Sequence, residues 1–148
     1  MLSLTHAITG AFIASKIGNP LISIPLITAS HFLEDYIPHW DFFVGTNHQE
    51  KNKYLALLQE LLIDLPLSLL LVYLIFSFRQ PFSYLPYLGW FFALLPDFLE
   101  FPYKFLNFSR FNIGKVHSLH KVLHTSNNKV ILGLLPQMAI ILLILLLK

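Results

Sequence analysis

The sequence predicts an all-α fold, an integral membrane bundle of about four to five apolar helices plus a short histidine-bearing helix. Of the 148 residues, 55% are hydrophobic and only 12% are charged, whereas a soluble domain has roughly 25% charged residues. The apolar residues also form continuous runs instead of alternating with polar ones, which favours helices over a membrane β-barrel. We therefore expect residues 1–148 to form a single membrane-embedded helical domain.

Charge and cysteine content exclude several classes of function. The formal net charge is only +2 and no basic stripe interleaves with aromatic residues, so nucleic acid is not an expected partner. The chain contains no cysteine, which excludes disulfides and thiolate metal ligands. Any metal ion must be held by histidine, carboxylate or carbonyl groups. The lipid bilayer is the partner that the composition predicts.

The first two predicted helices are short. Helix one covers residues 5–16, with Thr5 as a candidate N-cap, and stops at the Gly-Asn-Pro sequence of residues 18–20. Helix two covers residues 21–37 and ends before a proline. Both are shorter than the ~20 residues needed to span a bilayer. Together they could form a hairpin that enters the membrane without crossing it.

The later segments complete the predicted bundle. Residues 39–53 are polar and contain turn residues, which predicts a loop. Residues 54–78 form the strongest spanning candidate, with a kink expected at Pro66. Residues 84–101 are long enough to cross, and the last apolar helix is Val130–Leu147. Three prolines should interrupt or end the helix at 84–101, namely Pro86, Pro96 and Pro102.

The distribution of lysine and arginine predicts the orientation in the membrane. If helices three, four and the last one span, the loops at 39–53 and 103–129 lie on one side. Seven basic residues fall in these loops, against Arg79 and Lys148 on the other side, with Lys16 unassigned. The histidine-rich face is therefore expected to be cytoplasmic.

His31 and Asp35 are four residues apart on helix two, so their side chains share one helix face. This spacing allows both to reach one metal ion, but it also fits an ion pair at a helix end. We expect Glu34 to face solvent. His6, at the start of helix one, is either a further ligand or a buried core histidine. The PHWD sequence at residues 38–41 is either a loop ligand cluster or an interfacial turn with a tryptophan anchor.

His117, His120 and His124 have the spacing i, i+3 and i+7, which places them on one stripe of a short helix. His120 and His124, four residues apart, can both bind one ion. Lys121 stands where an H-E-x-x-H motif has glutamate, which excludes a zincin. The alternative is an interfacial helix whose histidines lie at the level of the lipid headgroups.

Three carboxylates fall inside apolar segments. Asp97 follows Pro96 in an aromatic stretch, and a lone buried carboxylate there would take up a proton. Asp97 is therefore neutral and hydrogen-bonded, paired with a basic residue, or a metal ligand. Nearly all basic residues are assigned to loops, which favours a metal or a histidine as its partner. Glu60 and Asp64 share a face of helix three and are candidates for a general base or a partner of a ligand histidine.

The order of these motifs resembles the membrane-bound metal-dependent hydrolases of bacteria. The matching residues are T-H-x-x-x-G at 5–10, H-x-x-x-D-x-x-P-H-x-D at 31–41 and the late histidine cluster. More distantly, the chain is similar to zinc-dependent phospholipase C, which is helical and binds zinc through His and Asp. It departs from the P-D-x-D-H pattern of the membrane-bound hydrolases, whose nearest matches are residues 38–41 and 95–97. The resemblance implies a zinc-type hydrolase of phosphoesters or lipids in the bacterial inner membrane.

Three functions are compatible with these observations. The first is a membrane metallohydrolase in which one or two divalent ions, expected to be zinc, are bound at the cytoplasmic boundary. Its metal ligands would be His6, His31, Asp35, Asp97 and some of His117, His120 and His124. The second is a non-enzymatic membrane protein whose histidines and aspartates bind metal, or only form hydrogen bonds and ion pairs with one another within the bundle. The third is a proton-relay or transport component, because intramembrane Asp and His chains also have that role.

Overall fold

The structure is a computed structural model that describes residues 1–43, 50–106 and 113–148. Within these ranges the secondary structure is helical and contains no strand. Two extended segments meet only at an isolated bridge between His39 and Ser126. The predicted all-α class is confirmed for this part of the chain. Residues 44–49 of the predicted loop at 39–53 and residues 107–112 of the predicted loop at 103–129 lie outside the described residues.

Seven α-helices are described, namely α1 Ser3–Ile17, α2 Pro20–Tyr36, α3 Glu50–Gln59, α4 Leu65–Val72, α5 Leu85–Leu106, α6 Ile113–Leu123 and α7 Val130–Leu147. Two π-helical segments, Glu60–Asp64 and Tyr73–Ser77, follow α3 and α4. The backbone stays in the right-handed helical region at the junctions, so residues 50–77 form one continuous rod. Pro66 lies in the first turn of α4, directly after the first π-helical segment, and the rod continues beyond it.

The first helix is capped differently from the prediction. It begins at Ser3, with Leu2 in the N-cap position, so the assignment of Thr5 as N-cap is wrong. The Asp64 carboxylate accepts hydrogen bonds from the backbone N–H groups of Ser3 at 2.7 Å and Leu4 at 3.2 Å. A carboxylate from another helix thus satisfies the free N–H groups of α1, and no local cap is needed.

Two further helix ends differ from the prediction. α5 continues through Pro96 and Pro102, which were expected to interrupt or end it. An internal proline removes one intrahelical hydrogen bond, and α5 as a whole packs closely on α1 and α2. His124 lies just beyond α6, although its N–H still bonds to the carbonyl of His120 at 2.8 Å.

The closest helix contact in the bundle joins α1 to α5. A Cβ atom added to Gly10 would lie 2.4 Å from the carbonyl oxygen of Gly89, and one added to Gly89 would lie 2.2 Å from the carbonyl oxygen of Gly10. Only glycine permits such an approach of two backbones. The neighbouring core residues are also mostly small, namely Ala7, Ala11, Ala14 and Ala93, with Val72 and Ile27.

Among the described residues, two helical stretches are long and apolar enough to cross a membrane by length and composition, Tyr54–Ser77 and Val130–Leu147. Their mean hydropathies are 2.0 and 2.8, and only 22% and 17% of their most apolar windows are buried. Large side chains on them are exposed, including Leu62 at 71% and Ile131 at 78%. Exposed apolar surface of this kind is suited to lipid and supports association with a membrane.

Candidate metal centre

Four helices bring imidazole and carboxylate groups together in one buried place. α1 contributes one histidine, α2 a histidine and an aspartate, α5 two acidic residues, and α6 one histidine. We call these residues the first centre, namely His6, His31, Asp35, Asp97, Glu100 and His120. Most of them are almost completely buried, so they must be paired or bound to a cation.

Asp35 lies at the middle of the first centre and is fully buried. Its Oδ2 atom is 2.7 Å from Nε2 of His120 and 3.3 Å from Nε2 of His31. Its Oδ1 atom is 3.2 Å from Nε2 of His6 and also contacts the amino group of Met1. One carboxylate is therefore within reach of three imidazole rings.

The acidic residues of α5 lie on the other side of His120. Nδ1 of His120 is 3.1 Å from Oε2 of Glu100 and 3.7 Å from Oδ1 of Asp97. The same Asp97 oxygen is 3.9 Å from Nε2 of His31. Asp97 is partly exposed, whereas Glu100 is buried, so Asp97 is the carboxylate of the first centre that is open to its surroundings.

Several buried atoms of the first centre face one another without forming hydrogen bonds. Nδ1 of His31 donates to the carbonyl of Ala93 at 2.8 Å, which leaves a lone pair on Nε2 in the neutral ring. That Nε2 atom, Oδ2 of Asp35 and both ring nitrogens of His120 lack a hydrogen-bond partner of acceptable geometry in the described chain. Ring nitrogens and carboxylate oxygens that converge in this way need a proton or a cation between them. The first centre thus fits a divalent metal ion.

The charge around His120 favours a cation at this place. Burial by itself lowers the pKa of His120, but the carboxylates of Asp35, Glu100 and Asp97 outweigh burial and raise that pKa to about 9. In the metal-free protein His120 therefore holds a proton at neutral pH. A divalent ion at the first centre would replace that proton, since metal binding requires the neutral imidazole.

Sets of three side chains offer ligand atoms that all lie within 4.8 Å of one another. Three of these sets belong to the first centre and overlap, namely His6 with His31 and Asp97, His31 with Asp35 and His120, and Asp97 with Glu100 and His120. Because they share residues, they describe one neighbourhood. Imidazole nitrogen together with carboxylate oxygen is a ligand set of zinc and of other divalent transition metals. A fourth set consists of Asp35, His39 and His124.

The structure distributes the predicted ligands unevenly. Five of them lie in the first centre, namely His6, His31, Asp35, Asp97 and His120. His124 lies instead beside His39, with 4.5 Å between the ring centroids. His117 contacts Glu100 through Nδ1 and belongs to none of the four ligand sets found in the described residues. His117 and His120, neighbours on the predicted helix stripe, thus both contact Glu100, whereas His124 lies just beyond α6 beside His39.

Glu60 and Asp64, predicted as a general base or a partner of a ligand histidine, lie next to the N-terminus of α1. Both oxygens of Asp64 accept backbone N–H groups of that helix, which gives Asp64 a capping role. Glu60 accepts a hydrogen bond from the Ser3 hydroxyl and lines a cavity. The general-base assignment stays a prediction, and Glu60 is the better placed of the two.

Two acidic residues near the first centre differ from the sequence prediction: Glu34 was assigned to the wrong environment, and Glu100 was not predicted as a ligand. The expectation that Glu34 faces solvent is wrong: its side chain is buried and Oε2 lies 2.6 Å from Nδ1 of His6. Helix α1 packs over α2 and covers this position, which spacing along α2 could not reveal. Glu100 was not predicted as a ligand, although its i, i+3 spacing from Asp97 places both on one helix face.

A cavity of about 330 Å³ lies beside the first centre. Its polar wall includes Asp97, Glu100 and His120, and Glu60 lines it as well. Its apolar wall comes from the rod and from α5, namely Leu57, Leu61, Leu65, Phe98 and Phe101. Potential metal ligands are therefore adjacent to a space that suits a molecule with one polar and one apolar part.

In the part of the chain that the structure describes, the fold is all-helical, two helices are long and apolar enough to cross a membrane, and a His/Asp centre is buried. The chain matches no protein-family model, and neither a curated protein nor a solved structure shows significant similarity to it. Function is accordingly argued from the chemistry of the site.

Proposed function

We propose that the protein is a membrane-bound metal-dependent hydrolase that acts on a phosphoester or lipid-type substrate at the bilayer surface. The observation that carries the proposal is the convergence next to a cavity of buried ring nitrogens of His31 and His120 and a carboxylate oxygen of Asp35 that lack a hydrogen-bond partner of acceptable geometry in the described chain. Zinc is the expected ion for a site of imidazole and carboxylate ligands. The resemblance to bacterial membrane-bound metal-dependent hydrolases, and more distantly to zinc-dependent phospholipase C, supports the same activity.

The residues of the chain have separate roles in this proposal. When bound, the ion supplies a Lewis acid that activates water for attack on an ester. The Ala93 carbonyl fixes the ring of His31, so that Nε2 is the ligand atom. Glu60 lines the cavity and takes up the proton of the attacking water as general base. Asp97, partly exposed, lies where the first centre meets the cavity.

The cavity walls favour an amphiphilic substrate. Leu57, Leu61 and Leu65 belong to the rod that includes a candidate membrane span. An acyl chain in contact with these leucines would place a polar headgroup against the acidic and imidazole side chains of the opposite wall. This arrangement supports a lipid or lipid-linked phosphoester over a fully polar substrate.

We further propose a multi-pass bundle of four to five helices in the bacterial inner membrane, with the histidine-rich face cytoplasmic. Three basic residues mark the opposite end of the bundle. Nζ of Lys16 donates to the Lys148 carbonyl at 3.1 Å, and Nζ of Lys148 contacts the carbonyl of Ile75, close to Arg79. Lys16 therefore lies on the side that has few basic residues. The excess of lysine and arginine remains on the histidine-rich side, which the positive-inside rule places in the cytoplasm.

The proposed function is tested by metal analysis of detergent-purified protein. We expect at least one equivalent of zinc in the wild type and in Ser30→Ala, a neighbour of His31 whose hydroxyl bonds only to its own helix. His31→Ala and Asp97→Asn should lose metal, and with it turnover of a chromogenic phosphodiester or acyl ester in mixed micelles.

Two results would contradict the proposed function. Absence of metal above background after zinc reconstitution would refute the metal centre. Metal that is bound and lost in both variants, without turnover of either ester, would favour the non-enzymatic metal-binding protein instead.

A further inference from the structure

We propose that the protein binds a second divalent ion between His39, Asp41 and His124, and that Asp35 bridges this ion to the one in the first centre. We call these four residues the second centre. The inference rests on the proposed function because Asp35 is shared with the first centre. It assigns a metal-binding role to His39 and Asp41, which the motif spacing had left open between a ligand cluster and a simple turn.

The ligand atoms of the second centre face one another at short distances. Nε2 of His39 is 3.0 Å from Nε2 of His124. Oδ2 of Asp41 lies 3.2 Å from Nε2 of His124 and 3.4 Å from Nε2 of His39. Oδ1 of Asp35 completes the group at 3.8 Å from Nε2 of His39. Two imidazoles and two carboxylates provide four ligands, a common number for a tetrahedrally coordinated ion.

The tautomer of His39 is set by the backbone. Its Nδ1 lies 2.8 Å from the carbonyl of Ile37 and donates to it, so in the neutral ring Nε2 presents a lone pair to the second centre. A single hydrogen on Nε2 of His124 can bond to His39 or to Asp41, but not fully to both. A divalent ion would be attracted by all of these atoms at once.

Backbone hydrogen bonds hold the two ligand-bearing segments together. The Thr125 N–H donates to the Asp35 carbonyl at 2.9 Å, and the His39 N–H donates to the Thr125 carbonyl at 3.1 Å. The Trp40 N–H donates to the Gly133 carbonyl of α7 at 3.2 Å. Because His39 is fully buried, its ring stays in position without an ion. The second centre is therefore preorganised.

Asp35 is placed to bridge two ions. Its Oδ2 faces His31 and His120 of the first centre. Its Oδ1 contacts the Met1 amino group and lies between the two centres, 3.2 Å from Nε2 of His6 and 3.8 Å from Nε2 of His39. The two centres together contain four carboxylates that contact histidines, namely Asp35, Asp41, Asp97 and Glu100. Glu34, which contacts His6, adds a negative charge, and the amino group of Met1, which contacts Asp35, adds a positive one. With neutral imidazoles these groups therefore balance the charge of two divalent cations.

The test is a metal count on full-length protein in detergent, reconstituted with Mn²⁺ or Zn²⁺. We expect two equivalents in the wild type and one in His124→Ala or His39→Ala. Both variants keep the backbone bonds of the two segments, and circular dichroism and thermal unfolding check that they fold. Trp40→Phe, in the same loop but without a ligand atom, should keep two equivalents.

Electron paramagnetic resonance of the Mn²⁺ form gives an independent readout. Two carboxylate-bridged ions should show a spin-coupled spectrum, and folded His124→Ala should show the resolved hyperfine lines of an isolated Mn²⁺. One equivalent in the wild type that is lost in His31→Ala but kept in His124→Ala would overturn the second centre and leave the proposed function standing. No bound metal in the wild type would overturn both.

Discussion

At the scale of single residues, neighbouring carbonyl groups decide which histidine atoms can bind a cation. The carbonyls of Ala93 and Ile37 each accept an Nδ1–H, from His31 and His39 respectively. Both rings consequently turn Nε2 toward Asp35. This arrangement, in which a carbonyl fixes the tautomer of a ligand histidine, is typical of protein metal sites.

Asp64 is expected to stabilise the protein by capping α1. In Asp64→Ala, the N–H groups of Ser3 and Leu4 lose their carboxyl acceptor, and the free energy of unfolding should fall by about 1–2 kcal/mol. Metal content should stay at the wild-type level because Asp64 belongs to none of the ligand sets in the described residues. Equilibrium unfolding in mixed micelles and metal analysis of the same sample measure both quantities.

The opposite result for Asp64 is equally informative. A variant with wild-type stability and wild-type metal content but no turnover would assign Asp64 to the reaction as a general base. Glu60→Gln provides the comparison, since Glu60 lines the cavity and its substitution should lower turnover while metal stays bound.

At the scale of helices, the contact of α1 with α5 brings the parts of the first centre together. Gly10 and Gly89 let the two backbones touch. α1 contains His6, and α5 contains Asp97 and Glu100. Wider separation of these helices would withdraw ligands on both sides of Asp35. The glycine pair therefore determines both the packing and the geometry of the site.

We expect Gly89→Ala to destabilise the bundle. Its new methyl group would lie 2.2 Å from the Gly10 carbonyl oxygen, and backbone cannot move aside without separating the helices. Overpacking of this kind costs about 1–3 kcal/mol, and metal affinity should fall together with stability. Ala29→Ser, which adds one atom at an exposed position of α2, is the control and should leave the melting temperature unchanged. An unchanged melting temperature for Gly89→Ala would contradict the close helix contact.

At the scale of the whole molecule, one end of the bundle has the two centres and the other has Lys16 and Lys148. α7 connects the two ends: Gly133 near its start contacts Trp40, and Lys148 at its end meets Lys16. Gln137 on this apolar helix is buried and hydrogen-bonds to the Trp40 carbonyl at 2.7 Å and to the N–H of Leu2 at 3.0 Å. α7 thereby sets the position of the loop that includes His39.

The proposed orientation can be tested because the chain contains no cysteine. We expect Gln80→Cys, exposed after the rod, to react with a membrane-impermeant maleimide in intact bacterial cells. Asn128→Cys, exposed between α6 and α7, should react only after the membrane is permeabilised. The reverse pattern would refute a cytoplasmic histidine-rich face, and labelling of both in intact cells would refute the membrane-spanning arrangement.

Sequence patterns predicted the helices better than the contacts among them. The continuous apolar runs located α2, the rod and α7 to within a few residues. The i, i+4 spacing correctly placed His31 and Asp35 on one face. These are local properties of a single helix and depend on nothing beyond it. The same reasoning was wrong where a neighbouring helix makes the contact. Glu34 is buried beneath α1 instead of facing solvent, and Asp64 of the rod caps α1 in place of Thr5.

By itself, the sequence determined that the chain forms apolar helices and that histidines and carboxylates are placed among them. Only the tertiary structure decided which of these groups meet. His117 and His120 both contact Glu100, His120 also faces Asp35, and His124 faces His39, partners that their common stripe did not reveal. The physical reason is that a helical repeat fixes the angles between side chains of one helix, whereas the rotation and separation of different helices depend on packing at contacts such as Gly10 and Gly89.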